Sequence, residues 1–143
     1  MDSPRTFYLY VAHRHYVLAY NKRGLPSGVV LQLRGKSGDE QKWTIEQGDE
    51  PNTIALHNVA SGNYMRSNKP ESHSKVGTGD KEWWKIDIHE KSPPGTFRLA
   101  PMVDSSPRPC FLNFLTGSAL RSDQDGTEVN LMHDSVSVCL TQV

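Results

Sequence analysis

A six-residue pattern, QKWTIE at residues 41–46, recurs 41 positions later as EWWKID at residues 82–87. A weaker third copy, VSVCLT, lies at residues 136–141. Each copy falls in a short alternating run rich in branched and aromatic residues, which is typical of a β-strand. The pattern therefore predicts the same strand in three places along the chain.

A second pattern repeats independently of the first. HNVASGNYMRSN at residues 57–68 matches LNFLTGSALRSD at residues 112–123, and a shorter related segment, YVLAY, lies at residues 16–20. Two series in the same order indicate repeats of about four strands each, because a fixed period is the signature of a repeated unit. We predict one domain over residues 1–143, with repeats at about 6–50, 51–92 and 93–143.

Short alternating runs continue along the whole chain, separated by many of its 11 glycines and 9 prolines. No window shows the apolar spacing of an amphipathic helix, so the sequence predicts an all-β fold. The runs expected to form strands are 6–12, 16–20, 29–33, 42–46, 53–58, 83–88, 96–100, 110–115, 128–132 and 136–141.

The composition excludes several classes of partner. The chain carries 16 Lys and Arg against 16 Asp and Glu, so no net charge attracts it to nucleic acid or an anionic membrane. Its apolar runs are far shorter than the roughly 20 residues that span a bilayer. The first residues show no leader pattern, which predicts a cytoplasmic protein.

The sequence contains no recognisable motif of a common enzyme class. There is no Gly-rich phosphate loop, zinc-protease helix or serine nucleophile elbow, so we expect no enzyme activity and no cofactor. Cys110 and Cys139 each have apolar neighbours and are expected to be two buried thiols rather than a disulfide. Their spacing and neighbours do not suggest zinc, so no metal site is predicted.

Two segments, QKWTIE at residues 41–46 and NVASGNY at residues 58–64, resemble the repeat of the ricin-B-like β-trefoil family. The repeat layout extends the resemblance over the whole chain, although the specific motif is clear only between residues 41 and 68. The resemblance implies twelve strands, six forming a barrel and the others three capping hairpins. It also implies that Trp43 and Trp84 are core residues.

Many members of that family bind sugars through an aspartate after the second strand of a repeat, an aromatic ring and a polar group near the Gln-x-Trp motif. This chain departs from that pattern in every repeat. The positions aligned with the aspartate hold Leu18 or Ala19, Arg66 and Arg121, and Asp123 is displaced by two places. No aromatic residue stands in the third-strand segments 29–33, 75–78 and 128–132. We therefore expect the usual sugar site to be lost.

Similar mushroom β-trefoils, the mycocypins and cocaprins, are protease inhibitors whose loops enter a protease cleft. The resemblance thus implies a fungal defence protein of that kind. The loop favoured for this role contains Arg23, Gly24, Leu25, Pro26 and Ser27. Gly24 permits a close backbone approach, Leu25 offers an apolar anchor, and Pro26 limits the entropy lost on docking.

A second candidate loop covers residues 103–109. Pro107 and Pro109 flank Arg108 and hold it extended, so that it could enter an anionic specificity pocket. A proline after the arginine resists cleavage, which argues against a substrate-like serine-protease inhibitor.

The main functional expectation is a non-enzymatic inhibitor that inserts a loop into a cysteine protease, with an aspartic protease as a second target class. The alternatives are a glycan-binding lectin with an atypical sugar site and a structural or storage protein. A neutral surface fits either a monomer or a homodimer.

The sequence makes two further segments, at Trp83 and around Pro51, stand out. Trp83 and Trp84 are adjacent, so their rings face opposite sides of a strand and Trp83 is expected near the surface. A partly covered ring is the simplest interpretation, with a dimer contact or a ligand platform as alternatives. The turn around Pro51 is expected to be a mobile linker.

Overall fold

The computed structural model describes residues 5–11, 16–21, 28–35, 38–69, 74–88, 93–102, 110–114, 129–132 and 137–143. Within these ranges the chain is built from β-strands and one short 3-10 helix at Asp39–Gln41, which confirms the all-β prediction. The strands are β1 Phe7–Val11, β2 Tyr16–Tyr20, β3 Val29–Leu33, β4 Trp43–Gln47, β5 Thr53–Asn58, β6 Tyr64–Ser67, β7 Val76–Gly79, β8 Trp84–Asp87, β9 Arg98–Pro101, β10 Phe111–Phe114, β11 Val129–Met132 and β12 Val138–Gln142.

Six strands form a closed barrel. β1 pairs with β4, β4 with β5, β5 with β8, β8 with β9, and β12 with β1, and every pair is antiparallel. Phe97, next to β9, closes the ring by bridging Val138 of β12 through two backbone hydrogen bonds of 2.9 and 2.8 Å. This single bridge joins the two ends of the row of paired strands.

The other six strands form three antiparallel hairpins, β2–β3, β6–β7 and β10–β11. A six-stranded barrel with three hairpins is the β-trefoil arrangement that the sequence resemblance implies. No helix among the described residues is long and apolar enough to cross a membrane.

One continuous cluster of buried residues receives at least one side chain from each of the twelve strands. Trp43 and Trp84 are its largest members, and both are fully buried. Each begins the fourth strand of its repeat and donates its indole N–H to a carbonyl in the second strand of the same repeat. Trp43 donates to Leu18 and Trp84 to Met65, both at 3.0 Å. Val138, also fully buried, begins β12.

Gln41, the first residue of the QKW sequence, is a buried structural clamp. Its amide nitrogen donates to Gln32 Oε1 at 2.9 Å and to the Leu33 carbonyl at 2.8 Å, and its oxygen accepts from the Gly35 N–H at 3.0 Å. The side chain is fully buried, so these bonds replace the water it loses on folding. The clamp ties β3 to the start of β4.

Both cysteines are free thiols. Cys110 is buried, whereas Cys139 is only partly buried, and burial raises the pKa of the Cys139 thiol. A raised pKa lowers the thiolate fraction, which makes Cys139 a poor nucleophile at neutral pH.

Candidate ligand-binding site

The loops expected to enter a protease lie outside the described residues. This applies to Arg23, Gly24, Leu25, Pro26 and Ser27 and also to Pro107 and Arg108.

The positions that align with the family's sugar-binding aspartate differ in burial from repeat to repeat. In the first repeat, Leu18 and Ala19 are buried in β2 and belong to the protein interior. In the second repeat, Arg66 is exposed on β6. Arg121, in the third, lies outside the described residues. Among the described residues, only the second repeat has a polar side chain, that of Arg66, at the position of the aspartate.

Trp83 lies immediately before β8 and is partly exposed, although its neighbour Trp84 is fully buried. Its carbonyl accepts a hydrogen bond of 3.1 Å from the N–H of Met102, a residue with 38% of its surface exposed. Trp83 and Met102 line two surface clefts and so separate them. We call this pair of residues the Trp83 ridge.

The acidic cleft, on one side of the ridge, has a volume of about 360 Å³ and is lined by Gln47, Gly48, Asp49, Glu50 and Thr53. Gln47 ends β4, Thr53 begins β5, and the other three residues lie in the turn between these strands. The N–H of Gly48 donates to the Thr53 carbonyl at 2.9 Å, and the Thr53 hydroxyl donates to the Glu50 carbonyl at 2.7 Å. The turn expected around Pro51 is present, and these hydrogen bonds close it so that it presents two exposed carboxylates.

The basic cleft, on the other side, has a volume of about 330 Å³ and is lined by Arg66, Ser67, Asn68, Lys81 and Glu82. Glu82 Oε1 accepts a 2.7 Å hydrogen bond from the Ser67 hydroxyl and a longer one, 3.4 Å, from the Ser67 N–H. Arg66 Nη1 lies 4.0 Å from Glu82 Oε2. Both clefts fall in the lower part of the size range of small-molecule sites.

Lys81 connects the basic cleft to a group of polar and aromatic residues beside it. Its ammonium lies 5.3 Å from the Trp83 ring centre, 5.2 Å from that of Tyr64, and 3.2 Å from Glu46 Oε1. Contact with Tyr64, and then with Lys81, lowers the pKa of Glu46, and Glu46 in turn raises the pKa of Lys81. Both groups are therefore charged at neutral pH, and the ion pair helps to hold Lys81 beside the two rings.

Replacing Gly48 with alanine is expected to disturb the acidic cleft. A Cβ at this position would collide with the Thr53 hydroxyl and lie 3.3 Å from Trp83 Cε3. Overpacking of this kind costs about 1–3 kcal/mol, so we expect lower stability and shifted Trp83 side-chain resonances in NMR spectra. Gly38→Ala is the control, since nothing lies within 4 Å of its added Cβ. Unchanged Trp83 resonances in Gly48→Ala would contradict this packing.

The sequence indicated only part of this site. The adjacent tryptophans correctly suggested that Trp83 lies near the surface. The sequence does not single out Asp49 and Glu50, because Gly48 and Pro51 beside them predict only a turn. The usable signal was their place directly after the QKWTIE strand, where the next strand must fold back as a hairpin.

Comparison with known proteins gives structural matches only. No protein-family model matches the chain, and no curated protein sequence matches it.

Solved fungal lectins match the whole chain. The Macrolepiota procera ricin B-like lectin in complex with lactose has a TM-score of 0.78 at 17% identity, covering 100% of this chain and 99% of that one. The Rhizoctonia solani agglutinin has a TM-score of 0.71 at 18% identity, with 100% and 98% covered. The Polyporus squamosus lectin, bound to a human-type influenza-binding epitope, has 0.74 at 15%, with 99% of this chain and 50% of that one covered. The chain therefore has the β-trefoil fold of the ricin B-like lectins.

Proposed function

We propose that this protein is a non-enzymatic carbohydrate-binding protein whose sugar site is formed by the Trp83 ridge and the acidic cleft. This site is atypical, because the usual aspartate position in the first repeat is apolar and in the second is occupied by Arg66. The observation that carries the proposal is a partly exposed indole beside two exposed carboxylates.

The chemistry of these groups suits a sugar. One face of a pyranose ring carries C–H groups that pack on an aromatic ring, while its hydroxyls need hydrogen-bond acceptors. Trp83 supplies the ring, and the carboxylates of Asp49 and Glu50 supply acceptors with no donor of their own. Within the part of the chain that the structure describes, neither carboxylate is bonded to another side chain. Both remain available to a ligand.

The structural similarity to sugar-bound lectins also supports the proposal. The Macrolepiota procera protein was solved with lactose and the Polyporus squamosus protein with a glycan epitope, so proteins of this fold bind sugars. At 15–17% identity the similarity shows the fold alone. The location of the sugar site is therefore argued from the residues of this chain.

Protease inhibition remains a prediction. It depends on the loop at residues 23–27, favoured for a cysteine protease, and on the loop containing Arg108, both outside the described residues. We favour glycan binding over protease inhibition because the side chains that would bind the glycan lie in the described part of the structure.

A glycan array tests the proposal. We expect saturable binding that free sugar competes away, and at least a tenfold loss in the double variant Asp49→Asn/Glu50→Gln, because an amide replaces one acceptor oxygen of each carboxylate with a donor. The matched control is Asp39→Asn/Glu40→Gln, an adjacent acidic pair outside both clefts, which should bind as the wild type does. An array without bound glycans, or equal losses in the two double variants, would contradict the proposed site.

A further inference from the structure

The charges of the basic cleft are arranged so that the cations face the solvent. The Arg66 side chain is 47% exposed and that of Lys81 40%, whereas the Glu82 side chain is only 17% exposed. Glu82 Oε1 is bound by Ser67, and Oε2 has a long 4.0 Å contact with Arg66. The one carboxylate that lines the cleft is therefore largely covered, and an incoming ligand meets positive charge.

Arg66 is the cation with the most freedom to bind a ligand. Lys81 is already paired with Glu46 at 3.2 Å and lies beside two rings. The stem of Arg66 passes over Gly79 of the neighbouring strand, where an added Cβ would lie 3.4 Å from Arg66 Cδ. The stem is thus supported while the guanidinium stays exposed. Guanidinium is a donor only, and its planar fork fits the paired oxygens of a carboxylate or a sulfate.

The basic and acidic clefts are neighbours, since Trp83 and Met102 line both. A sugar stacked on the ridge with its hydroxyls in the acidic cleft has the basic cleft on its other side. We propose that the basic cleft is a second subsite, in which Arg66 binds an anionic substituent, a carboxylate or a sulfate ester, of the same glycan. This inference rests on the proposed glycan binding at the ridge and adds the class of ligand, an acidic oligosaccharide.

The test is an array of matched trios: a neutral oligosaccharide, its sulfate ester and its sialylated form. We expect the wild type to bind an anionic member of a trio about fivefold more tightly than the neutral member, since an exposed ion pair contributes up to about 1 kcal/mol. Whichever anionic member is preferred identifies sulfate or carboxylate as the source of the charge. Higher salt should narrow the preference.

Arg66→Gln should remove the preference while leaving binding of the neutral member unchanged. Lys85→Gln removes the same charge from an exposed position on β8 outside both clefts, and it should keep the preference. Equal binding of neutral and anionic members by the wild type would overturn the acidic-glycan inference and leave the sugar site at the ridge standing. A preference that survives in Arg66→Gln would overturn the role of Arg66. Binding of no member at all would overturn the proposed function and this inference with it.

Discussion

Replacing Trp84 with alanine is expected to lower the free energy of unfolding by about 3–5 kcal/mol. The indole is fully buried among side chains from the barrel and the hairpins, so alanine leaves a cavity. The Met65 carbonyl also loses the N–H that donates to it at 3.0 Å, which leaves a buried acceptor unpaired. Urea unfolding followed by circular dichroism measures the change.

Two variants separate the causes of that loss. Trp84→Phe fills most of the space without restoring the N–H, so its loss should fall between those of the wild type and Trp84→Ala. Trp83→Ala removes the same side chain one position earlier, from the partly exposed face, and should cost far less. Similar losses in Trp83→Ala and Trp84→Ala would contradict the opposite placement of the two rings.

Replacing Trp83 with alanine is expected to weaken glycan binding by about thirtyfold or more, which corresponds to the roughly 2 kcal/mol of an aromatic hot spot. The reason is that Trp83 lines both clefts and provides the indole surface on which a sugar ring can stack. Titration calorimetry with the best glycan from the array measures the loss. Trp83→Phe keeps a smaller ring and should retain part of the affinity.

Met102→Ala is the control for a general change in the shape of the ridge. It shortens the other side chain of the ridge and keeps the Trp83 ring, so it should weaken glycan binding much less than Trp83→Ala. Unchanged affinity in Trp83→Ala would show that glycans bind elsewhere.

The fold was largely predictable from the sequence because the strand that begins with Trp43 recurs at Trp84. A residue type repeated at the same place in a strand reports the same burial in each repeat, and the structure gives both rings the same hydrogen bond to a second strand. The alternation of apolar and polar residues alone was a weaker predictor of the strands. It omitted both β6 and β7. The sequence VGTG of β7 has two glycines and no apolar alternation, and only the alignment of repeats placed strands in these two segments.

The candidate site was less predictable because its parts are distant in sequence. The turn with Asp49 and Glu50, the strand with Arg66 and the ridge at Trp83 meet because β5 pairs with β4, β6 and β8. Those pairings belong to the barrel and its capping hairpin and are set by the whole fold. The sequence indicated that Arg66 replaces an aspartate, but it gave no sign that Glu82 is covered by Ser67 and leaves the arginine exposed.

The most direct test of the central claim is the fluorescence of Trp83 during titration with the glycan that the array selects. The chain has three tryptophans, and Trp43 and Trp84 are fully buried, so acrylamide quenches mainly Trp83. If a sugar stacks on this ring, saturating glycan will protect the quenchable emission and shift it to shorter wavelength, and both effects will be absent in Trp83→Phe. Full binding in calorimetry with no change in quenching or emission would contradict the account.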